Sequence, residues 1–182
     1  MKTSKIKAAE YSPTENDTLI MDTNILIKIL HPINYKNTFQ VYEEVYSKAI
    51  KNHTKLLISS VQISEFINTC IRLQFNLYRN GEEMDFKREY RNTDDYRDNM
   101  KAILEIIEHD ILGNFTLIDD NFTAMNQDDL FIYGFSYDFN DAFLAELARI
   151  NNAQLLTDDA DFANCSSKIN IVTANPRLLM FS

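Results

Sequence analysis

Short apolar runs alternate along the chain with longer stretches whose apolar residues recur every three or four positions. Leu19 to Met21 is one such run and predicts a strand. Residues 38 to 52, TFQVYEEVYSKAIKN, place Phe39, Val41, Tyr42, Val45, Tyr46 and Ile50 at helical spacing. KLLIS, 55 to 59, predicts the next strand. VQISEFINTCIRLQFNLY continues as a helix, with Ser60 or Ser64 placed to cap it. MKAILEIIEHDIL, 100 to 112, predicts an amphipathic helix that Gly113 ends. FTLID, 115 to 119, predicts a strand, DAFLAELARIN, 141 to 151, a helix, and AQLLT, 153 to 157, a strand. INIVT, 169 to 173, is a final strand before an Asn175-Pro176 turn. Strands separated by helices imply a mainly parallel sheet covered on both faces, an α/β fold. Only three Gly and three Pro punctuate the chain, which favours long helices over an all-β fold.

Two stretches lack a clear period. Residues 1 to 17 predict a mobile or peripheral start. Residues 80 to 98 are strongly polar and predict either a loop or an exposed helix start. The 182 residues suit one domain with a sizeable core.

Composition narrows the class. With 45% apolar and 25% charged residues the chain reads as an ordinary soluble globular protein. No apolar stretch approaches the roughly 20 residues that span a bilayer, so no membrane is expected. The N-terminus is too polar for a secretory signal, which makes a cytoplasmic location the default. Cys70 and Cys165 have neither CxxC spacing nor a nearby His pair, so they read as reduced, buried thiols, and zinc has no support. The net charge of -9 argues against an ordinary basic nucleic-acid binder. It does not exclude an enzyme that holds a metal with carboxylates, because such a site adds negative charge of its own.

One stretch poses a chemical question. LIMDTNIL, 19 to 26, sets Asp22 inside an apolar run, where an unpartnered ionised carboxylate is costly. Three further acidic places complete a pattern. Glu65 falls on the helix after KLLIS, Asp141 opens the helix at 141, and Asp159 follows the strand QLLT. Sites in open α/β sheets form beyond the carboxyl ends of strands, where the strand order switches. The four acids can therefore converge there. Converging carboxylates raise one another's pKa and cost stability, and a divalent cation removes the conflict. Mg2+ or Mn2+ suits such oxygen ligands and needs only one or two protein carboxylates per ion. Each acid also has an ordinary reading of its own. Asp22 suits a turn, Glu65 a solvated helix face, Asp141 a first helical turn, and Asp158, Asp159 and Asp161 an acidic loop. Their joint order favours the site. Asp138 is placed either to cap the helix at 141 or to join the metal. His31, His53 and His109 have no ligand spacing and read as surface or satisfied histidines, which leaves no imidazole base and points to metal-activated water. Arg72, Arg79, Lys87 and Arg88 are followed by Arg91, Arg97 and Lys101, with Tyr78, Tyr90 and Tyr96 among them. The stretch is either a nucleic-acid contact region or a solvated helix laced by its many acids.

These segments resemble the PIN-domain nuclease family, which includes the VapC-type toxin ribonucleases. The matching residues are MDTNIL at 21 to 26, ISSVQISEF with Glu65, DFNDAFLAELA with Asp141 and TDDADF at 157 to 162. The resemblance covers residues 18 to 175, leaves 1 to 17 as a peripheral segment, and makes 76 to 113 a helical elaboration. It implies a three-layer α/β/α fold. Asp22, Glu65, Asp141 and Asp159 would be catalytic and hold Mg2+ or Mn2+, with Asp161 as a further metal ligand. Asn24 and Thr157 would orient them through hydrogen bonds, and Arg72, Arg79, Lys87 and Arg88 would contact substrate. The implied function is a metal-dependent endoribonuclease that uses activated water and leaves 5'-phosphate and 3'-hydroxyl ends. Its implied partners are an RNA substrate, a basic antitoxin or other basic protein, and a second copy of the chain in a homodimer. Two other classes compete. A phosphatase of the haloacid-dehalogenase type needs an Asp two positions after Asp22, where Asn24 stands, and a downstream Lys motif that is missing. A non-catalytic PIN-like scaffold would keep the fold and show no cation dependence.

Overall fold

The computed structural model describes residues 4–31, 39–131, 138–165 and 167–180. Its strands are β1 (Ser4–Lys7), β2 (Thr18–Met21), β3 (Lys55–Ser59), β4 (Thr116–Ile118), β5 (Gln154–Leu156) and β6 (Asn170–Thr173). They form one sheet in the order β1-β6-β5-β2-β3-β4, and every pairing is parallel. The helices are α1 (Thr23–Leu30), α2 (Gln40–Lys51), α3 (Ser60–Arg79), α4 (Asp94–Ile106), α5 (Leu112–Asn114), α6 (Gln127–Leu130), α7 (Phe139–Ile150) and α8 (Pro176–Met180). The α/β fold with a parallel sheet between helical layers is the one that the alternating pattern predicts.

Alternation along the central strands decides which helices cover which face. Leu19 and Met21 of β2 point into one core with Leu56, Ile58, Leu156 and Val172, under α1 to α4. Ile20 points the other way, with Leu57, Leu155 and Ile171, against Phe143 and Leu147 of α7 and Leu178 of α8. A strand buried on both faces needs an unbroken apolar run, which is why TLIM and KLLIS carry no solvent-facing alternation. Truncating any of these side chains to Ala would cost about 2–5 kcal/mol.

Several boundaries differ from the sequence reading, each for a local reason. The supposedly peripheral start contains β1, which pairs with β6 from Ser4↔Asn170 to Lys7↔Thr173. An edge strand of four residues with two lysines makes no apolar run, and its charge protects the open edge. Ser59, not Ser60 or Ser64, caps α3 in a reciprocal capping box with Gln62. The fourth helix begins at Asp94, six positions before the predicted start at 100, because Thr93 accepts from the Tyr96 N–H and opens the helix inside the polar stretch. Gly113 does not end that helix. A π-helical segment, Ile107–Ile111, leads into α5, which includes Gly113 and runs to Asn114. The helix predicted over 38 to 52 is α2, and its first predicted residue, 38, lies outside the described residues. No helix among the described residues is long and apolar enough to cross a membrane.

Candidate functional site

The chain leaves β2 toward β3 on one side and returns to β5 on the other, so the strand order switches at β2. A crevice opens at the carboxyl ends of strands at such a point. Asp22 follows β2 directly and Asp159 follows β5 by three positions. Glu65 sits on α3, which starts where β3 ends, and Asp141 lies in the first turn of α7. Together with Asn24, Asp138 and Asp161, all four face one cavity of about 260 Å³. Among the described residues, its wall carries six carboxylates and no Lys, Arg or His. Five metal-site acids predicted from four separate stretches of chain are thus brought together.

Asp22 is 5% exposed and is held from two sides. The Asn24 N–H donates to its Oδ1 at 3.0 Å, which makes Asp22 the N-cap of α1. The Thr157 hydroxyl donates to Oδ2 at 2.6 Å. Asp22 is therefore both a cap and a wall of the cavity. Burial pushes its carboxyl up to about 6; the two hydrogen bonds work against that rise, while the charges of Asp159 and Glu65 add to it. The structure places Asn24 in the cavity wall and gives its backbone, not its side chain, the orienting bond to Asp22.

The neighbouring acids are fixed by similarly short links. Thr23 Oγ1 donates to Glu65 Oε2 at 2.8 Å, which joins α1 to α3 beside the cavity. Gln62 Nε2 donates to the Met21 carbonyl at 2.7 Å and ties α3 to the end of β2. The Asp161 N–H donates to Asp159 Oδ1 at 2.9 Å, and the Asp159 N–H donates to Thr157 Oγ1 at 3.0 Å. Asp138 caps α7 by accepting from the Asn140 N–H at 2.8 Å, and it lines the cavity as well. Thr23, Gln62, Asn140 and Phe143 are wall residues that the sequence reading left out. For Gln62 a signal existed, since Ser-x-x-Gln is a capping-box pattern.

The predicted substrate contacts lie elsewhere. None of Arg72, Arg79, Lys87 and Arg88 lines the acidic cavity. The Arg72 guanidinium sits 3.8 Å from the centre of the Phe86 ring, and Arg79 lies 5.5 Å from that of Phe75. Lys87 and Arg88 are exposed. Tyr90 is fully buried, donates to Asp95 Oδ1 at 2.8 Å and packs with Phe75, Phe86 and Tyr96, so it is a core residue and not a surface for bases. His31 is also buried, with Nε2 3.4 Å from Gln74 Nε2 and Nδ1 without a hydrogen-bond partner among the described residues, so it is not a surface histidine and is only half satisfied. Both cysteines are free thiols; Cys70 is buried and Cys165 only partly so, and burial pushes them up to about 12 and about 11.

The donor chemistry of the cavity suits a hard divalent cation, since its charged groups are all carboxylates. Among the described residues, however, no group of three or more Asp, Glu, His or Cys side chains is placed to hold a metal ion.

Comparison with known proteins finds similar solved structures and a matching family model. The chain is similar to the crystal structure of VapBC2 from Rickettsia felis bound to a DNA fragment from their promoter, at 19% identity over 86% of this chain and 98% of that one, with a TM-score of 0.46. It is also similar to PAE2754 from Pyrobaculum aerophilum, at 16% identity over 94% of this chain and 93% of that one, with the same TM-score of 0.46. No curated protein matches it. The PIN domain model matches residues 19–168, a span that takes in the switch-point crevice and every acid facing it, and the chain accordingly belongs to the PIN-domain family.

Proposed function

We propose that the protein is a metal-dependent endoribonuclease that hydrolyses RNA phosphodiester bonds by attack of water. The observation that carries this reading is the convergence of Asp22, Glu65, Asp141, Asp159 and Asp161 on one cavity whose wall, among the described residues, has no cation of its own. In this reading those five residues hold Mg2+ or Mn2+. The ion, when bound, supplies the positive charge that offsets the acids and polarises water and phosphate. The chain's own contribution is positional. Thr157 and the Asn24 N–H hold Asp22, Thr23 holds Glu65, and the capped turn at Asp159 holds that carboxylate at the end of β5. The RNA preference rests on family membership.

Cleavage of mixed RNA substrates with Mg2+ or Mn2+, comparing wild type with Asp22→Asn, tests the reading. Expected are 5'-phosphate and 3'-hydroxyl ends, and loss of cleavage in a variant that remains folded. Products ending in 2',3'-cyclic phosphate would refute hydrolysis by water.

The partner assignments belong to the same proposal. A net charge of -9 supports a basic partner peptide over the acidic mouth, as in toxin-antitoxin pairs. Copurification without any small basic protein would count against it. A homodimer is the family expectation, and light scattering of the purified chain decides it. A non-catalytic scaffold is the second reading, favoured because no three candidate ligands among the described residues are placed to hold a metal ion. A scaffold would show no Mn2+-dependent rise in melting temperature.

A further inference from the structure

The acidic cavity has an aromatic flank that the hydrolysis itself does not use. Phe143 of α7 is a buried wall of the cavity. One turn earlier on the same helix, Phe139 packs against it with ring centroids 6.0 Å apart and planes inclined by 32°. Phe139 in turn stacks on Phe131, at 5.9 Å and 28°. The row climbs out of the protein, from 3% exposed at Phe143 to 43% at Phe139 and 64% at Phe131. Phe139 stands between Asp138 and Asn140 in sequence, and both of those line the cavity.

Single exposed apolar residues need no explanation, but adjoining stacked rings at the rim of a charged cleft mark a contact surface. Charge decides what fits there. The cavity wall repels a phosphate, so a strand held beside it must gain affinity from something other than Coulomb attraction to the wall. Every base has a flat face, and stacking on an exposed phenyl ring strengthens binding roughly ten-fold or more per base, whatever the sequence. A base in a duplex already has both faces covered.

We propose that Phe131 and Phe139 form a stacking platform for one or two unpaired bases of a single-stranded nucleic acid whose backbone lies over the acidic cavity. This rests on the nuclease reading and deepens it: the substrate is a strand with bases free to leave their stack, and double-helical segments are excluded. The continuous row from the exposed rings to the cavity wall is what favours a strand over an apolar protein segment.

The test uses the full chain and the variants Phe131→Ala, Phe139→Ala and the Trp replacements of both. Binding is read from quenching of 2-aminopurine in a short oligoribonucleotide with Ca2+, and hydrolysis from KM and kcat on the same strand, single or paired. The platform predicts quenching by wild type, KM raised about ten-fold by each Ala change with kcat within about two-fold, near wild-type KM for the Trp variants, and poor cleavage of the duplex. Unchanged KM and quenching in both Ala variants would overturn it, as would a defect confined to capture of a basic protein partner. If Phe139→Ala fails to fold, Phe131→Ala, with the more exposed ring, carries the test. Quenching without any hydrolysis would end the nuclease reading and leave the platform. Hydrolysis indifferent to both rings would do the reverse.

Discussion

The Thr157 hydroxyl donates to Asp22 Oδ2 at 2.6 Å and so ties the residue after β5 to the residue after β2. Thr157 Oγ1 in turn accepts from the Asp159 N–H at 3.0 Å. One fully buried hydroxyl therefore sets the positions of two acids that follow adjacent strands. Thr157→Val keeps the shape and removes both bonds. It should cost about 1–3 kcal/mol in urea unfolding, because a buried carboxylate oxygen and an N–H lose their partner. Hydrolysis should fall as well, and Thr157→Ser should recover most of both. Full activity in the Val variant would show that the acids are placed without this link.

Asp22 gives the free protein an unusual pH dependence. Its folded pKa of about 6 lies above the roughly 3.9 of an unfolded Asp. The native state thus binds a proton more tightly than the unfolded chain does. The resulting stability is fully present below about 3.9 and is lost as pH rises through about 6, by about 3 kcal/mol in all. Other carboxylates act in the opposite sense, so the quantity to measure is the difference between wild type and Asp22→Asn with chelator present. At pH 7.5 the Asn variant should be the more stable of the two, by less than about 3 kcal/mol because its bond from Thr157 is weaker. Wild type should recover about half of that difference by pH 5 and the rest toward pH 4. A difference that does not change with pH would mean that the carboxyl titrates normally.

Glu146 shows what remained hidden in the sequence. DAFLAELARIN announces a helix, yet nothing in it marks Glu146 as fully buried. The only hint is an Arg three residues on, and surface helices carry such pairs routinely. The four motif acids could be read because a family pattern constrains them together. The central strands could be read because burial on both faces forces continuous apolar runs. By contrast, β1 and the early start of α4 depend on register and capping, where two or three polar residues decide the outcome. The roles of Arg72 and Arg79 depend on where Phe86 and Phe75 come to lie, which linear spacing does not encode.

The Glu146 network makes a stability prediction of its own. Its carboxylate accepts from Arg149, from the Asn126 N–H at 2.8 Å and from Ser167 Oγ at 2.8 Å. Burial pushes its pKa up, but these donors, with the Arg149 charge, outweigh burial and hold it below the usual carboxylate range. Stability from this group is therefore present above the unfolded glutamate pKa and is lost as pH falls through the lower folded value. Glu146→Ala should cost about 3 kcal/mol at pH 7, the low end for a broken buried pair because the Arg149 side chain is 35% exposed. The loss should shrink at pH 3. A cost below about 1 kcal/mol at pH 7 would show that water replaces the network.

Tyr42 offers a separation of position from charge. Its ring is 1% exposed, and its hydroxyl donates to Asp158 Oδ1 at 2.7 Å while accepting from the Ala174 N–H at 2.8 Å. Those partners follow β5 and β6, so α2 clamps both loops from below the acidic turn. Asp158 itself does not line the cavity and sits 3.9 Å from Lys28 Nζ, while its neighbour Asp159 is part of the wall. Tyr42→Phe keeps the packing volume and removes one donor and one acceptor. Asp158 is partly exposed and can turn to water, so the stability cost should be modest, about 1–2 kcal/mol. Catalysis should suffer more than stability, because an acid displaced by a fraction of an ångström no longer meets the same ligand geometry. The expected result is kcat reduced about ten-fold with KM little changed and the circular dichroism of the wild type. If kcat is unaffected while stability falls as predicted, the Asn175 Nδ2 bond to the Asp158 carbonyl at 2.6 Å holds the turn without help from Tyr42.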